Sequence, residues 1–451
     1  MRDDPQAIIS RSPMSVLQVV VVALTALLTA LDGFDVLSIS FAAPGIAEEW
    51  GIDKAELGIV LAMELIGMAI GSMVLGVVAD KVGRKPTITG ALAVMVFGMF
   101  MVTTAPNVIQ LSVWRVLTGF GIGGVLACTN AVCAEFSNAK RRDLTVSIMA
   151  VGYPIGAVVG GIIAAQLLKD NDWRSVFYLG SAVTAALIPF VYFFIPESVS
   201  WLAHKQPKGA LERINRTLRR MKHDGLDALP VLGQEGRSLS SRDIFSRTLL
   251  TTTILVSAAC FLQMTTFYFM LKWIPKIVVD MGFATASAAG VLVWANIGGA
   301  LGGALFGLLT QRIPVKYLTI AVMVTGGVMV ALFGRTADDL SKVSLAVAMA
   351  GFFTNAGIVG LYAIFARTYP THARGFGTGF SIGIGRGGAM LGPILAGFLF
   401  NAGVGLPVVA AVMSLGSFIA AGLLIFVRLQ PDRTAAAPAG ESGEVVVMQE
   451  S

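Results

Sequence analysis

Apolar runs long enough to cross a membrane recur twelve times in this sequence and constrain its fold more than any other feature. A helix needs about 20 mostly apolar residues to cross the hydrocarbon core of a bilayer. Only 13% of the residues are charged, whereas a soluble domain carries about 25%. The sequence therefore predicts an all-α membrane protein with twelve transmembrane helices. The runs are 16–41, 56–79, 86–105, 108–133, 144–168, 174–195, 248–271, 285–309, 315–334, 341–365, 375–400 and 406–428.

The longest polar interruption divides these runs six and six. It predicts a central linker with a short amphipathic helix near 207–222. The C-terminal tail is rich in Ala, Gly and Glu, a composition typical of disorder. The predicted segments are an N-terminal tail 1–15, a six-helix bundle 16–195, a linker 196–247, a second six-helix bundle 248–428 and a tail 429–451.

The distribution of Lys and Arg predicts the orientation. With both termini and the linker in the cytoplasm, 24 of the 33 basic residues lie on the cytoplasmic side. Seven fall in outer loops, Lys272 and Lys276 among them, and Arg115 and Arg386 lie within spans. Cytoplasmic loops of membrane proteins carry such an excess. The basic residues form short clusters between spans and no stripe, so the positive net charge does not indicate nucleic-acid binding.

The two halves read as a repeat. Three landmarks of the first half return in the second at an offset of 231 or 232 residues. Repeated halves of this kind are typical of transporters that rock around a site at mid-membrane depth. The paired landmarks are 80–85 with 311–316, Arg142 with Arg374, and 119–120 with 351–352.

The loop after the second span, from Gly76 to Lys85, resembles the loop 2–3 signature of the major facilitator superfamily. Glycine permits a tight turn and close helix approach. The carboxylate and the basic residues can latch the cytoplasmic ends of helices; a solvated charged turn is the alternative. The predicted gating residues are Gly76, Asp80, Gly83, Arg84, Lys85, Glu135 and Arg142.

Two acids, Asp32 and Asp35, lie deep in the first apolar run. A charge near the bilayer centre costs about 2.5–3.5 kcal/mol on insertion scales, so both acids require a function or a partner. At i and i+3 they share a helix face and are expected to face a central cavity. A carboxyl group removed from water tends to hold a proton, as a proton-coupled carrier requires; a fixed salt bridge with an arginine is the alternative. Glu64 lies at a similar depth and is either a third proton site or a hydrogen-bonded cavity residue.

The Leu-Asp-Gly-Phe-Asp element at 31–35 resembles the aromatic acid:proton symporter family. Members are bacterial permeases for benzoate, hydroxybenzoates and protocatechuate. The resemblance covers the chain apart from its tails and extends to Arg115 and to Gly385-Arg386-Gly387-Gly388. It implies the major facilitator fold, the inner membrane, a functional monomer, no cofactor and transport driven by the proton gradient.

Arg386 is the residue best suited to bind a substrate carboxylate, because its guanidinium is a charged planar fork that matches a carboxylate. Pairing with an acid alone is the alternative role. Arg115 is expected to pair with Glu64 or with an acid of the first span, or else to contact substrate.

The repeat and the need of an aromatic ring for apolar walls and edge-on ring contacts suggest further cavity residues. Asp32 maps onto Gln263 at the offset of 231. The two asparagines below are polar points for ring hydroxyl groups. The predicted substrate-binding residues besides the two arginines are Phe34, Tyr153, Gln263, Phe267, Tyr268, Trp294, Asn296 and Asn355.

These observations predict proton-coupled uptake of an aromatic carboxylate by alternating access. A porter for another organic acid or a sugar is an alternative. So is a drug exporter, although the exporter signature expects proline where Ala157 stands. The spans hold no nucleophile–base pair, histidine cluster or metal-ligand set, which excludes most enzymes, and neither tail is long enough for the signalling domain of a receptor. No catalytic or metal-binding residue is predicted.

Overall fold

A computed structural model describes residues 5–230, 245–246, 249–336, 339–369 and 374–427, and within these ranges it contains fifteen α-helices and no strand. Twelve of the helices are long and apolar enough to cross a membrane. The helices are α1 (Pro5–Arg11), α2 (Val16–Trp50), α3 (Lys54–Val82), α4 (Arg84–Thr103), α5 (Val108–Glu135), α6 (Arg142–Asp170), α7 (Arg174–Phe194), α8 (Val199–Lys205), α9 (Ala210–Arg220), α10 (Leu250–Asp280), α11 (Thr285–Leu309), α12 (Val315–Phe333), α13 (Leu340–Thr368), α14 (Arg374–Asn401) and α15 (Leu406–Phe426).

Ten of the twelve long helices lie within a few residues of the predicted spans, but α2 and α10 extend further. Helix α2 continues through Pro44 to Trp50, and α10 continues through Pro275 to Asp280. The two prolines are repeat-related, 231 residues apart. Lys272 and Lys276 therefore lie within a helix, and their predicted place in an outer loop was wrong. Hydropathy falls along this stretch, yet the helix persists because neighbours such as Trp273 are packed inside the protein.

The predicted repeat is confirmed by the way glycines set the helix packing within each bundle. A Cβ on Gly71 of α3 would contact the backbone of Phe120 in α5, and a Cβ on Gly302 of α11 would contact the backbone of Phe352 in α13. Gly71 is repeat-related to Gly302, and Phe120 is repeat-related to Phe352. The same correspondence holds for Gly119 against the carbonyl of Glu64 and for Gly351 against that of Ala295. Small residues let membrane helices approach closely, and the halves use them at equivalent positions.

The first bundle consists of α2–α7 and the second of α10–α15. We call the end of the bundles that carries α1, α8 and α9 the linker end, and the opposite end the far end. The amphipathic helix predicted near 207–222 is α9. The predicted disordered tail 429–451 lies outside the described residues.

The halves meet through α3 with α14, α6 with α11, and α2 with α10. At the far end, Lys54 of α3 pairs with Asp280 of α10 at 3.1 Å. Below this pair, Gly58 and Gly397 face each other so closely that a Cβ on either would lie about 3 Å from the other's Cα. The two bundles are therefore in backbone contact at the far end.

Candidate functional site

Five charged side chains with no exposed surface lie together at mid-depth. They come from three helices of the first half and one of the second. A charge in such a place requires partners, because the desolvation of each ion costs several kcal/mol. We call this group the charge cluster: Asp32, Asp35, Glu64, Arg115 and Lys272.

Close packing of α3 on α5 brings Glu64 to Arg115. Gly119 lies one turn beyond Arg115 and against the carbonyl of Glu64, so the two helices approach at the level of the pair. Arg115 Nη2 forms an ion pair with Glu64 Oε2 and donates a hydrogen bond to the carbonyl of Asp35 at 3.2 Å. Its guanidinium also lies over the ring of Phe177, 5.3 Å from the centroid. The structure thus makes Glu64 the partner of Arg115 among the alternatives that the sequence left open.

Lys272 reaches the charge cluster from the second half, and sequence reasoning missed it. Its Nζ donates to the carbonyl of Val36 in α2 and lies 3.4 Å from Glu64 Oε2 in α3. The repeat held a signal that could have found it. Lys272 corresponds to Phe41, the last residue of the first predicted span, so the equivalent span includes it.

Asp32 and Asp35 differ from Glu64 because, among the described residues, both oxygens of each carboxyl group are buried without a hydrogen-bond partner. Asp35 Oδ1 lies 3.3 Å from the point where a Cβ on Gly180 of α7 would stand, so its carboxyl group faces the interior of the first bundle. The expectation that both acids face the central cavity is therefore wrong for Asp35. Residues three apart on a helix do not point in the same direction, because the chain completes a turn only about every 3.6 residues. This rotation directs the side chain of Asp35 toward α7.

The repeat-related positions in the second half hold neutral groups that are fully hydrogen bonded. Gln263, the equivalent of Asp32, donates to the carbonyl of Thr354 at 3.0 Å and accepts from Ser417 at 2.9 Å. Thr266, the equivalent of Asp35, donates to the carbonyl of Met413 at 2.6 Å. Gln263 thus stabilises the second bundle from within, which corrects its predicted role as a cavity residue. In each of these two repeat-related pairs, the acid of the first half is the residue whose polar side-chain atoms lack hydrogen-bond partners within the described part of the chain.

Arg386 lies between the halves on α14, toward the linker end from the charge cluster. Its Nη1 donates to the carbonyl of Met68 at 3.0 Å and to Ser72 Oγ at 2.6 Å, both on α3. Within the part of the chain that the structure describes, Nη1 makes all the hydrogen bonds of this guanidinium. Nε and Nη2 are left for a ligand.

One tyrosine lies near Arg386, and two further aromatic side chains contact that tyrosine. Tyr268 is close enough to feel the charge of Arg386, and its hydroxyl group interacts with that of Tyr153 across the two halves. Phe267 packs edge-on against Tyr268, with ring centroids 5.5 Å apart. We call Arg386, Ser72, Tyr153, Phe267 and Tyr268 the arginine site. Ser72 was not predicted; no sequence pattern distinguishes it from other serines of the spans.

The remaining predicted cavity residues lie elsewhere, which corrects their predicted roles. Phe34 packs against Gly160 between α2 and α6. Asn296 donates to its own helix at Leu292, and Asn355 joins α13 to α11 through the carbonyl of Gly299. Trp294 is 52% exposed and lines a surface groove with Leu345. Apolar surface and aromatic character alone do not separate such positions from cavity walls.

At the linker end, the predicted gating residues join a residue that was not predicted, Glu197. Asp80 pairs with Arg84 at 2.7 Å. Glu197 Oε1 accepts from the backbone N–H of Arg84 at 2.8 Å and of Lys85 at 3.3 Å, so it caps α4 where the helix dipole favours an anion. Gly83 has φ of 116°, and a Cβ there would meet the Glu197 carboxylate. The loop conformation and the cap thus depend on each other.

The other predicted gating residues lie at the same end of the first bundle. Glu135 ends α5 near Ser198, which follows Glu197, and its carbonyl accepts from Gln6 at 3.0 Å. Arg142 begins α6, and Gly76 faces Ala127 of α5 at ordinary contact distance. These contacts lie within the first half and its flanking segments.

Comparison with known proteins agrees with this architecture. The sequence matches the Major Facilitator Superfamily over residues 25–350 and 297–449. It is 31% identical to the 4-hydroxybenzoate transporter of Pseudomonas putida, over 86% of this chain and 88% of that protein. It is 29% identical to the gallate transporter of the same species, over 92% of each chain. The fold is similar to a partially occluded inward-open structure of the xylose transporter from E. coli, with a TM-score of 0.73 at 16% identity over 92% of this chain and 99% of that chain.

Proposed function

Because the chain belongs to the major facilitator superfamily and, within it, to the aromatic acid:proton symporter family, we propose that it takes up an aromatic carboxylate together with protons. It is a membrane transporter and not an enzyme. The observation that supports the proposal best is that the arginine site lies next to the charge cluster, on the side of the linker end. An arginine with free N–H groups lies between the halves, beside a buried cluster with two unpartnered carboxyl groups.

The arginine site suits an aromatic acid. Nε and Nη2 of Arg386 can bind the two oxygens of a carboxylate in the bidentate manner that a guanidinium favours. Tyr268 and Phe267 offer ring faces and edges for offset or edge-on contact with an aromatic substrate. The names of the relatives, 4-hydroxybenzoate and gallate transporter, both denote a carboxylate on a hydroxylated ring. The hydroxyl groups of Tyr153 and Tyr268 can bind such ring substituents.

The charge cluster suits the proton. Its three acids and two bases give a net charge of −1 when all are ionised. An ionised carboxylate that is buried without a partner is costly, and burial favours its neutral form. Asp32 and Asp35 are in that situation. We therefore assign them the transported proton, with Glu64 as the ion-paired member that communicates with the bases.

The excess of Lys and Arg on the linker side supports a cytoplasmic linker end, with the far end facing the outer side of the membrane. The far end is closed by the Lys54–Asp280 pair and the Gly58–Gly397 contact. In this state, substrate and proton exchange with the cytoplasm. Rocking of the two bundles then opens the far end and exposes the same sites to the outside, and one chain contains the complete pathway.

The test is uptake into proteoliposomes that contain the purified protein. Labelled 4-hydroxybenzoate, gallate and benzoate are offered with xylose and an aliphatic acid as controls, with an inward pH gradient or with an uncoupler. We expect accumulation of at least one aromatic acid, and its loss on addition of the uncoupler. Arg386→Gln is expected to abolish uptake, whereas Arg216→Gln on the exposed face of α9 leaves it unchanged. Accumulation that persists in the uncoupler would exclude proton coupling.

A further inference from the structure

The charge cluster is asymmetric in a way that ties it to the motion of the halves. Four of its members belong to the first half, and Lys272 alone belongs to the second. Its repeat-related residue in the first half is the buried Phe41, so no lysine is inserted in the opposite direction. Symmetric packing of the bundles does not require Lys272, which indicates a separate function.

Within the described residues, the hydrogen bonds and the ion pair of the Lys272 ammonium are all with the first half. Nζ bonds to the carbonyl of Val36 and to Glu64, and it has no exposed surface. Separation of α10 from α2 and α3 at the far end must therefore withdraw the ammonium from the cluster. Such separation is what opens the far end to the outside.

Withdrawal of Lys272 changes the charge balance of the first half. Without it, Asp32, Asp35 and Glu64 face Arg115 alone, and the net charge of the ionised groups falls from −1 to −2. A buried excess of one negative charge is neutralised most simply by a proton, because protonation removes the charge and the desolvation cost together.

We propose that Lys272 and one proton replace each other in the charge cluster during every transport cycle. This inference rests on the proposed proton coupling and specifies how it works. When the far end opens, the ammonium leaves and a carboxylate of the first half gains a proton from the outer solution, forming one O–H bond. When the far end closes, the ammonium returns, that O–H bond breaks, and the proton leaves toward the linker end. One proton thus crosses for each insertion of Lys272.

Several groups face Glu64 and set the pH dependence of this exchange. Arg115 of α5 holds Glu64 from one side and Lys272 of α10 from the other. Asp35 and Asp32 of α2 add negative charge. Tyr153 of α6 and Tyr268 of α10 also lie near enough to interact with it. Among the charged members of this set, Lys272 alone belongs to the second half, so it is the charge that the opening of the far end withdraws.

The first test measures opening of the far end without any substrate. Leu57 is fully buried and lines the far-end cleft, so Leu57→Cys reports access from that side. The three native cysteines are replaced by serine, and right-side-out vesicles are treated with a membrane-impermeant maleimide. Because the reactive thiolate is scarcer at low pH, labelling at each pH is expressed relative to that of an exposed cysteine at the far end, Asn171→Cys. We expect this relative labelling to increase at least tenfold between pH 8 and pH 5.5, because protons then take the place of the ammonium.

Removal of the ammonium is expected to abolish this response. Lys272→Met should be labelled strongly at both pH values, whereas Lys272→Arg should keep the pH response. Lys169→Met, an exposed lysine at the far end of α6, is the matched control and should behave as the parent. If Lys272→Met does not fold, Lys272→Gln removes the charge but keeps a donor for the Val36 carbonyl, and it should also lose the response. A parental pH response in either variant overturns the proposal.

The second test separates this inference from the proposed function. In proteoliposomes, Lys272→Met is expected to exchange labelled for unlabelled aromatic acid at equal pH, but to lose accumulation driven by a pH gradient at least tenfold. If the parent transports no aromatic acid, the proposed function fails while the labelling test still stands. If Lys272→Met accumulates substrate like the parent, the exchange of Lys272 with a proton is wrong.

Discussion

At the residue scale, the Arg115–Glu64 pair anchors the charge cluster. Removal of one member of a buried ion pair leaves an uncompensated charge and costs about 3–5 kcal/mol. Arg115→Leu leaves Glu64 with Lys272 alone and also removes the hydrogen bond to Asp35. We expect a marked fall in the melting temperature of the detergent-solubilised protein. Tryptophan fluorescence measures the unfolding. Arg216→Leu, on the exposed face of α9, is the comparison and should change the melting temperature little.

Ser72 lies behind Arg386 and orients it. Ser72→Ala removes one hydrogen bond of Nη1 and leaves the bond to the Met68 carbonyl. A hydrogen bond contributes about 0.5–1.5 kcal/mol, which corresponds to a rise of about two- to twelvefold in KM for the aromatic acid. The maximal rate should change less than KM, since the guanidinium itself remains. Transport kinetics in proteoliposomes give both values; an unchanged KM would mean that Ser72 does not position the arginine.

Which charged residues matter could be predicted from the sequence for Asp32, Asp35, Glu64, Arg115 and Arg386, because an ionisable residue inside an apolar run needs a reason to be there. Lys272 was missed for a related reason. It stands where hydropathy falls, and a lysine at the end of an apolar run usually lies in the membrane–water interface. Whether a lysine at such a position points to solvent or into the other half depends on how the bundles meet.

At the element scale, glycines fix the separation of α3 and α5. A Cβ on Gly71 would collide with the backbone of Phe120. Gly71→Ala therefore forces the helices apart and is expected to destabilise the fold by about 1–3 kcal/mol, the usual cost of overpacking. Gly307→Ala in α11 is the control, because a Cβ there meets nothing within 4 Å. The melting temperatures of the two variants test this. A lower melting temperature for Gly71→Ala alone supports the close packing of α3 and α5, and an equal decrease in both variants contradicts it.

The ends of most helices could be predicted from apolar runs, but those of α2 and α10 could not. Both continue through a proline, at Pro44 and Pro275. A proline normally ends or kinks a helix, yet membrane helices tolerate it where neighbouring helices satisfy the freed backbone groups. Burial of this stretch between the halves decides the outcome, and burial is a tertiary property. The repeat offset of 231 was the only sign in the sequence that the two extensions belong together.

At the scale of the whole molecule, the two halves have the same packing but different chemistry. Glycine contacts correspond pair by pair between the bundles. The acids of the first half correspond to Gln263 and Thr266 in the second, whose hydrogen bonds are satisfied. Internal repetition thus builds a scaffold of two equivalent bundles, while substitution in one copy supplies the charges. This is why the fold could be predicted from the sequence in more detail than the site. For the site, the repeat related Gln263 to Asp32 and wrongly suggested that Gln263 lines the cavity.

The far end provides a comparison for the charge cluster, because an exposed ion pair also closes it. The side chains of Lys54 and Asp280 are 42% and 34% exposed. An exposed pair contributes about 0.2–1 kcal/mol, so Lys54→Gln is expected to raise labelling of Leu57→Cys at pH 8 by no more than about fivefold. Salt screens such a pair, and 1 M NaCl should raise labelling of the parent toward that of the variant. Glu56→Gln, a neighbouring change on the exposed face of α3, should have no effect. If Lys54→Gln opened the far end as fully as Lys272→Met, the surface pair would be the main lock and the buried ammonium would not.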